Sequence, residues 1–90
     1  MTDKERKLLD RARQSPNNWT KAELEKLYEA FGFEIVRGTK HEFARHPKFP
    51  HLRGTLPNHV SFATGYIRSA VKLIDELNVL LEEEPNEGET

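Results

Sequence analysis

The sequence predicts a two-layer α+β domain in the order helix, helix, three antiparallel strands, helix, with the helices on one face of the sheet. Three observations predict it. Apolar residues recur at helical spacing in three stretches: before residue 15, between residues 20 and 32, and after residue 64. Between residues 33 and 56 the pattern changes to short alternating runs, punctuated by Gly38, Pro47 and Pro50 and closed by Pro57. Ninety residues, 36% hydrophobic and 32% charged, suffice for one core and leave no room for a second domain.

The elements follow in order. Thr2 and Glu5 have the spacing of a capping box, Leu8, Leu9 and Ala12 share a stripe, and Ser15-Pro16 ends the first helix. Thr20 and Glu23 repeat the capping device ahead of Leu24, Leu27, Tyr28 and Phe31, and Gly32 stands where a left-handed C-terminal cap belongs. Trp19, just before the capping threonine, is expected to pack at the start of that helix rather than stack on a base. Residues 33–37 alternate, with Phe33 and Ile35 on one side, Gly38-Thr39 turns, and residues 41–46 return as the second strand. A third strand spans residues 52–56, weakened by Gly54. The last helix starts near Thr64-Gly65, with Ile67, Ala70, Val71, Ile74, Leu77 and Leu81 on one stripe. Phe62 and Tyr66, near that start, read as core or rim. The chain thus divides into an N-terminal helical extension (1–18), a main domain (19–81) and an acidic tail (82–90) with no apolar residue to offset the entropy of ordering.

The net charge of -1 conceals a segregation. Residues 1–35 balance, with seven basic and seven acidic side chains; residues 36–72 carry seven basic ones against Glu42 alone, together with all four histidines; residues 73–90 carry seven acidic ones and none that is basic. A basic centre is the electrostatic footprint of a phosphate-bearing partner, and equally the mark of an ordinary solvated face. The absence of cysteine excludes a disulfide framework, a thiolate zinc site and a thiol nucleophile, and suits a reducing cytoplasm. No stretch approaches the roughly 20 apolar residues of a membrane span, and the N-terminus lacks the apolar run of a signal peptide.

The four histidines, 41, 46, 51 and 59, are spaced five, five and eight apart, which fits no compact metal-ligand pattern, and no cofactor is expected. Histidine is the side chain best matched to proton transfer near neutrality. On alternation His41 shares a strand face with Phe43 and Arg45, and Phe43 suggests that this face borders the core. A half-buried structural role is therefore the plain reading of His41, and proton transfer the sharper one. His46 and His59 flank prolines at loop or strand ends, and His51 reads as exposed.

The stretches "FGFE" at the end of the second helix, "HEFARHP" on the hairpin, "RGTLPNH" on the third strand and "GYIRSAVKLIDEL" on the last helix together resemble the HicA toxins of toxin-antitoxin pairs, over residues 19–78. The resemblance implies a double-stranded-RNA-binding-like fold, α-β-β-β-α with the extra N-terminal helix, acting as a cytoplasmic mRNA interferase: an endoribonuclease neutralised by a HicB-type antitoxin. In that family the histidine of a Gly-Ser-His motif is catalytic, and it corresponds to His41. This chain has Thr39 and Lys40 in place of the glycine and serine, with Gly38 one position upstream. Cleaving a phosphodiester through the ribose 2'-hydroxyl needs a base for that proton, cations for the developing charge and an acid for the leaving oxygen. His41 is the candidate acid-base group, and Arg37, Lys40, Arg45, Arg53, Arg68 and Lys72 are the candidate phosphate-binding residues. The alternative is a non-catalytic RNA-binding or protein-interaction module on the same fold.

Overall fold

The computed structural model describes residues 3–38, 42–57 and 64–83. The described residues form three helices, α1 (Asp3–Gln14), α2 (Lys21–Ala30) and α3 (Gly65–Glu83), and three strands, β1 (Glu34–Arg37), β2 (Glu42–Arg45) and β3 (Arg53–Leu56). The strands form one antiparallel sheet in the order β1-β2-β3, so that among the described residues β1 and β3 are its outer strands. Among the described residues no helix is long and apolar enough to cross a membrane.

Local chemistry sets the helix ends. The Ser15 amide donates to the Arg11 carbonyl (2.7 Å) at the close of α1, and Asn18 takes the left-handed backbone (φ 62°) that asparagine tolerates better than most residues. The expected capping box of α2 is present: the Thr20 hydroxyl accepts the Glu23 amide (3.1 Å) and the Glu23 carboxylate accepts the Thr20 amide (3.0 Å). Gly32, at φ 86°, provides the left-handed exit from α2. The partner device at the start of α1 involves Thr2, which lies outside the described residues.

One core joins all the layers. Leu9 and Ala12 of α1 are buried with Leu24, Leu27 and Tyr28 of α2, Ile67, Ala70, Ile74 and Leu77 of α3, and Ala44 and Leu56 of the sheet. Each such leucine or isoleucine contributes roughly 1.5–3 kcal/mol on burial. The segment read as an extension is thus a helix of the main core. Trp19 fastens it: buried, its Nε1 donates to the Ser15 carbonyl (2.8 Å), and the Arg11 guanidinium lies 4.2 Å from its ring centroid. Ion pairs from Arg11 to Glu23 (2.6 Å) and from Arg13 to Asp75 link α1 to α2 and α3, and the Arg11 hydrogen bond holds the Glu23 carboxyl below its ordinary range.

The register divides the sheet into two faces. The rows Ile35–Ala44–Gly54 and Arg37–Glu42–Leu56 face the helices, and the rows Glu34–Arg45–Arg53 and Val36–Phe43–Thr55 face away. Ala44 is fully buried, and at Gly54 a side chain would meet Tyr28 of α2 and Leu73 of α3. This corrects the expectation for Phe43. Ala44 is the buried residue of β2, and Phe43, half-buried, is not among the side chains that build or pack against the core. Leu81 departs from its expected stripe too: it is 44% exposed, and α3 continues to Glu83. The remainder of the acidic tail, 84–90, lies outside the described residues.

Candidate functional site

The sequence-predicted site falls on the hairpin, the third strand and the last helix, and the structure distributes it unevenly. His41 and Lys40 lie outside the described residues, between the end of β1 at Arg37 and the start of β2 at Glu42. His59 and Phe62 lie outside them too.

Arg37 belongs to the helix-facing side of the sheet. Its guanidinium bonds the Glu25 carboxylate of α2 (2.6 Å and 3.4 Å) and the Glu42 carboxylate beside it (3.2 Å), and these partners raise its pKa, Glu25 foremost. Lys21 reaches the same Glu42 (2.5 Å), and that contact, with Arg37, holds the Glu42 carboxyl below its ordinary range. The four charges close into a chain from α2 to the hairpin. Arg37 is thereby already satisfied by carboxylates, which separates it from the other candidate cations.

Arg45 and Arg53 face each other across β2 and β3 on the open face of the sheet. The Arg53 guanidinium lies 5.2 Å from the Phe43 ring centroid, a cation-π contact between diagonal neighbours on that face. Beside β3, a cleft of about 540 Å³ separates the strand from α3; Arg53, Gly54 and Thr55 form one wall, and Tyr66, Ser69 and Lys72 the other. Glu76 also borders it. Arg68 stands one turn before Lys72 and is exposed. Among the described residues Arg45, Arg53, Arg68 and Lys72 make no ion pair. The structure therefore brings Arg53 together with Arg45 on one side and with Lys72 on the other, and leaves Arg37 apart.

His46 has a structural role. It is buried, its ring packs edge-on against Phe33 (centroids 5.2 Å apart) and tilted against Phe49 (5.5 Å), and Nδ1 accepts the Lys48 amide (3.1 Å). Burial lowers its pKa, while a hydrogen bond to the Phe31 backbone acts the other way. Nε2 lies 3.2 Å from the position a Cβ would take at Gly32. His51 is exposed, as expected. Among the described residues no group of three potential ligands is placed to hold a metal ion.

Phe43 is the residue that sequence reasoning missed. Alternation put it with Arg45, correctly, but assigned that face to the core; the signal that reverses the assignment is the small pair Ala44 and Gly54, which marks where side chains from the helices must fit. Comparison of the chain with protein-family models, with curated proteins and with solved structures finds no match.

Proposed function

We propose that this chain is an endoribonuclease toxin of the HicA kind, built on a double-stranded-RNA-binding-like fold, that cleaves messenger RNA with His41 as its catalytic residue and is neutralised in the cytoplasm by a HicB-type antitoxin. The observation that carries the reading is the group of cations that make no ion pair among the described residues, Arg45 on β2, Arg53 on β3, and Arg68 and Lys72 on α3. Such cations, two of which, Arg53 and Lys72, line the cleft, are suited to phosphates, whose binding is dominated by such contacts. The order helix, hairpin, third strand, helix and the stretches quoted above support the family assignment.

The chemistry requires little machinery. His41 removes the 2'-hydroxyl proton or protonates the leaving oxygen, a role that contributes on the order of 10²- to 10⁴-fold. Lys40, its immediate neighbour, supplies charge where the family has serine. Arg45 stands three residues along β2 from Glu42, about 10 Å at the usual rise of a strand. It and Arg53 therefore serve phosphates flanking the scissile one. An antitoxin that covers this region buries at least roughly 1,000 Å² and blocks the site directly.

That same separation favours the second reading, a non-catalytic RNA-binding or protein-interaction module: cations gathered toward the far end of the strands grip a strand of RNA whether or not it is cut. Induction of the wild-type chain and of His41→Ala to equal levels in a bacterial culture separates the two. The nuclease reading expects growth arrest and loss of transcripts with the wild type alone; the binding-module reading expects neither from either chain.

A further inference from the structure

We infer that the open face of the sheet binds single-stranded RNA, an unpaired base stacking on Phe43 and the Arg53 guanidinium while Arg45 holds the adjacent phosphate. The inference rests on the proposed RNA reading and assigns the sheet face to unpaired stretches of the messenger, where the resemblance implies messenger RNA without saying which surface holds it or whether the bound stretch is paired.

The face has the composition such binding needs. Val36 and Phe43 are partners in the register, both half-buried, and neither belongs to the core or packs against it. The pair runs from the edge strand β1 to the central strand β2, and among the described residues no helix packs on it. Exposed Thr55 extends the row on one side, and Arg45 and Arg53 form the next row. Glu34 is the one acidic side chain on these two rows, at the β1 edge; the cations occupy the centre and the β3 edge. The occupant must combine flat apolar surface with negative charge at intervals of one residue or nucleotide. Unpaired nucleotides do so, because every base has a π-face and every linkage a phosphate. A duplex does not: its bases are stacked inside, and it presents only phosphates and sugar edges to a flat sheet. An acidic peptide would meet the arginines but offers no π-face to stack on the Phe43–Arg53 pair.

The test uses a noncleavable probe, a 2'-O-methyl oligoribonucleotide of about 12 nucleotides carrying one central 2-aminopurine, alone and annealed to its complement. The full-length chain is expected to bind the single strand more tightly than the duplex and to quench the aminopurine through stacking. Phe43→Leu, which keeps the apolar surface and removes the ring, is expected to weaken single-strand binding about tenfold, and Phe43→Trp to retain it. Equal affinities of wild type and a folded Phe43→Leu overturn the inference, as does a preference for the duplex or an absence of RNA binding at low salt. Should Phe43→Leu fail to fold, wild-type binding with unquenched aminopurine overturns it by itself. Cleavage is read separately with His41→Ala on natural RNA, so a chain that cuts RNA but ignores the loss of Phe43 disproves this inference and leaves the nuclease reading standing.

Discussion

The Tyr28 hydroxyl rests on Gly54: a Cβ built at residue 54 would lie 2.0 Å from Oη and 2.5 Å from Cζ of Tyr28, and 2.9 Å from Leu73 Cδ1. The glycine that weakened the third strand on paper is the recess that lets α2 and α3 close on the sheet. Tyr28 is fully buried, its hydroxyl has no hydrogen-bond partner among the described residues, and burial raises its pKa. Gly54→Ala is therefore expected to destabilise the fold by about 1–3 kcal/mol through overpacking. Tyr28→Phe removes the clashing, unpaired hydroxyl; alone it is expected to be neutral or stabilising, and in the double variant to recover part of the Gly54→Ala loss. Urea midpoints of the four chains read this directly, and additive losses would contradict it.

The capping box of α2 gives a second stability prediction. Thr20→Ala leaves the Glu23 amide without its side-chain acceptor and is expected to cost about 1 kcal/mol, with Thr20→Ser close to wild type. Equal urea midpoints for all three chains would show that the box contributes nothing.

His46 makes stability depend on pH in the mildly acidic range. Its pKa in the folded chain lies below the unfolded value of 6.5, so the unfolded chain binds the proton more readily. Its contribution is complete above pH 6.5 and is lost as the pH falls from there through the lowered folded value. Glu23 and Glu42, held below 4.5 by their cationic partners, begin to lose theirs only as the pH falls below that figure. Urea midpoints measured from pH 7.5 down to 5 should decline, and a folded His46→Gln should flatten the decline; an unchanged slope would assign it elsewhere.

The division among the cations predicts how RNA binding responds to salt. Arg45→Gln and Arg53→Gln should each weaken binding and lower the slope of log affinity against log salt by about 0.7–0.9. Arg37→Gln should change neither appreciably, because Glu25 and Glu42 already engage that guanidinium. A slope that falls equally in all three would mean that Arg37 releases its carboxylates to bind RNA.

What was legible in the sequence was local. The Thr20–Glu23 box, the Gly32 exit and the halt at Ser15-Pro16 each depend on neighbours within a turn, and the structure has all three. What was not legible depended on distant partners. Alternation gives two strand faces but not which is inner; at β2 the inner face is that of Ala44, whose register partner Gly54 lies under Tyr28 and Leu73. Arg37 looked like its basic neighbours until Glu25, twelve residues earlier, arrived beside it on α2. His46 looked like a strand-end residue, and Phe33, Phe49 and the Gly32 turn bury it. The N-terminal helix has a plain amphipathic stripe whose docking on α2 and α3 no local signal announces.

The proposed nuclease activity depends on His41. Its most direct test incubates the purified full-length chain and His41→Ala with the same messenger RNA, with product ends and RNA affinity measured for both. Fragments ending in 2',3'-cyclic phosphate are expected from the wild type and none from His41→Ala, with equal binding by the two. Intact RNA with the wild type, or cleavage that survives the substitution, would contradict it.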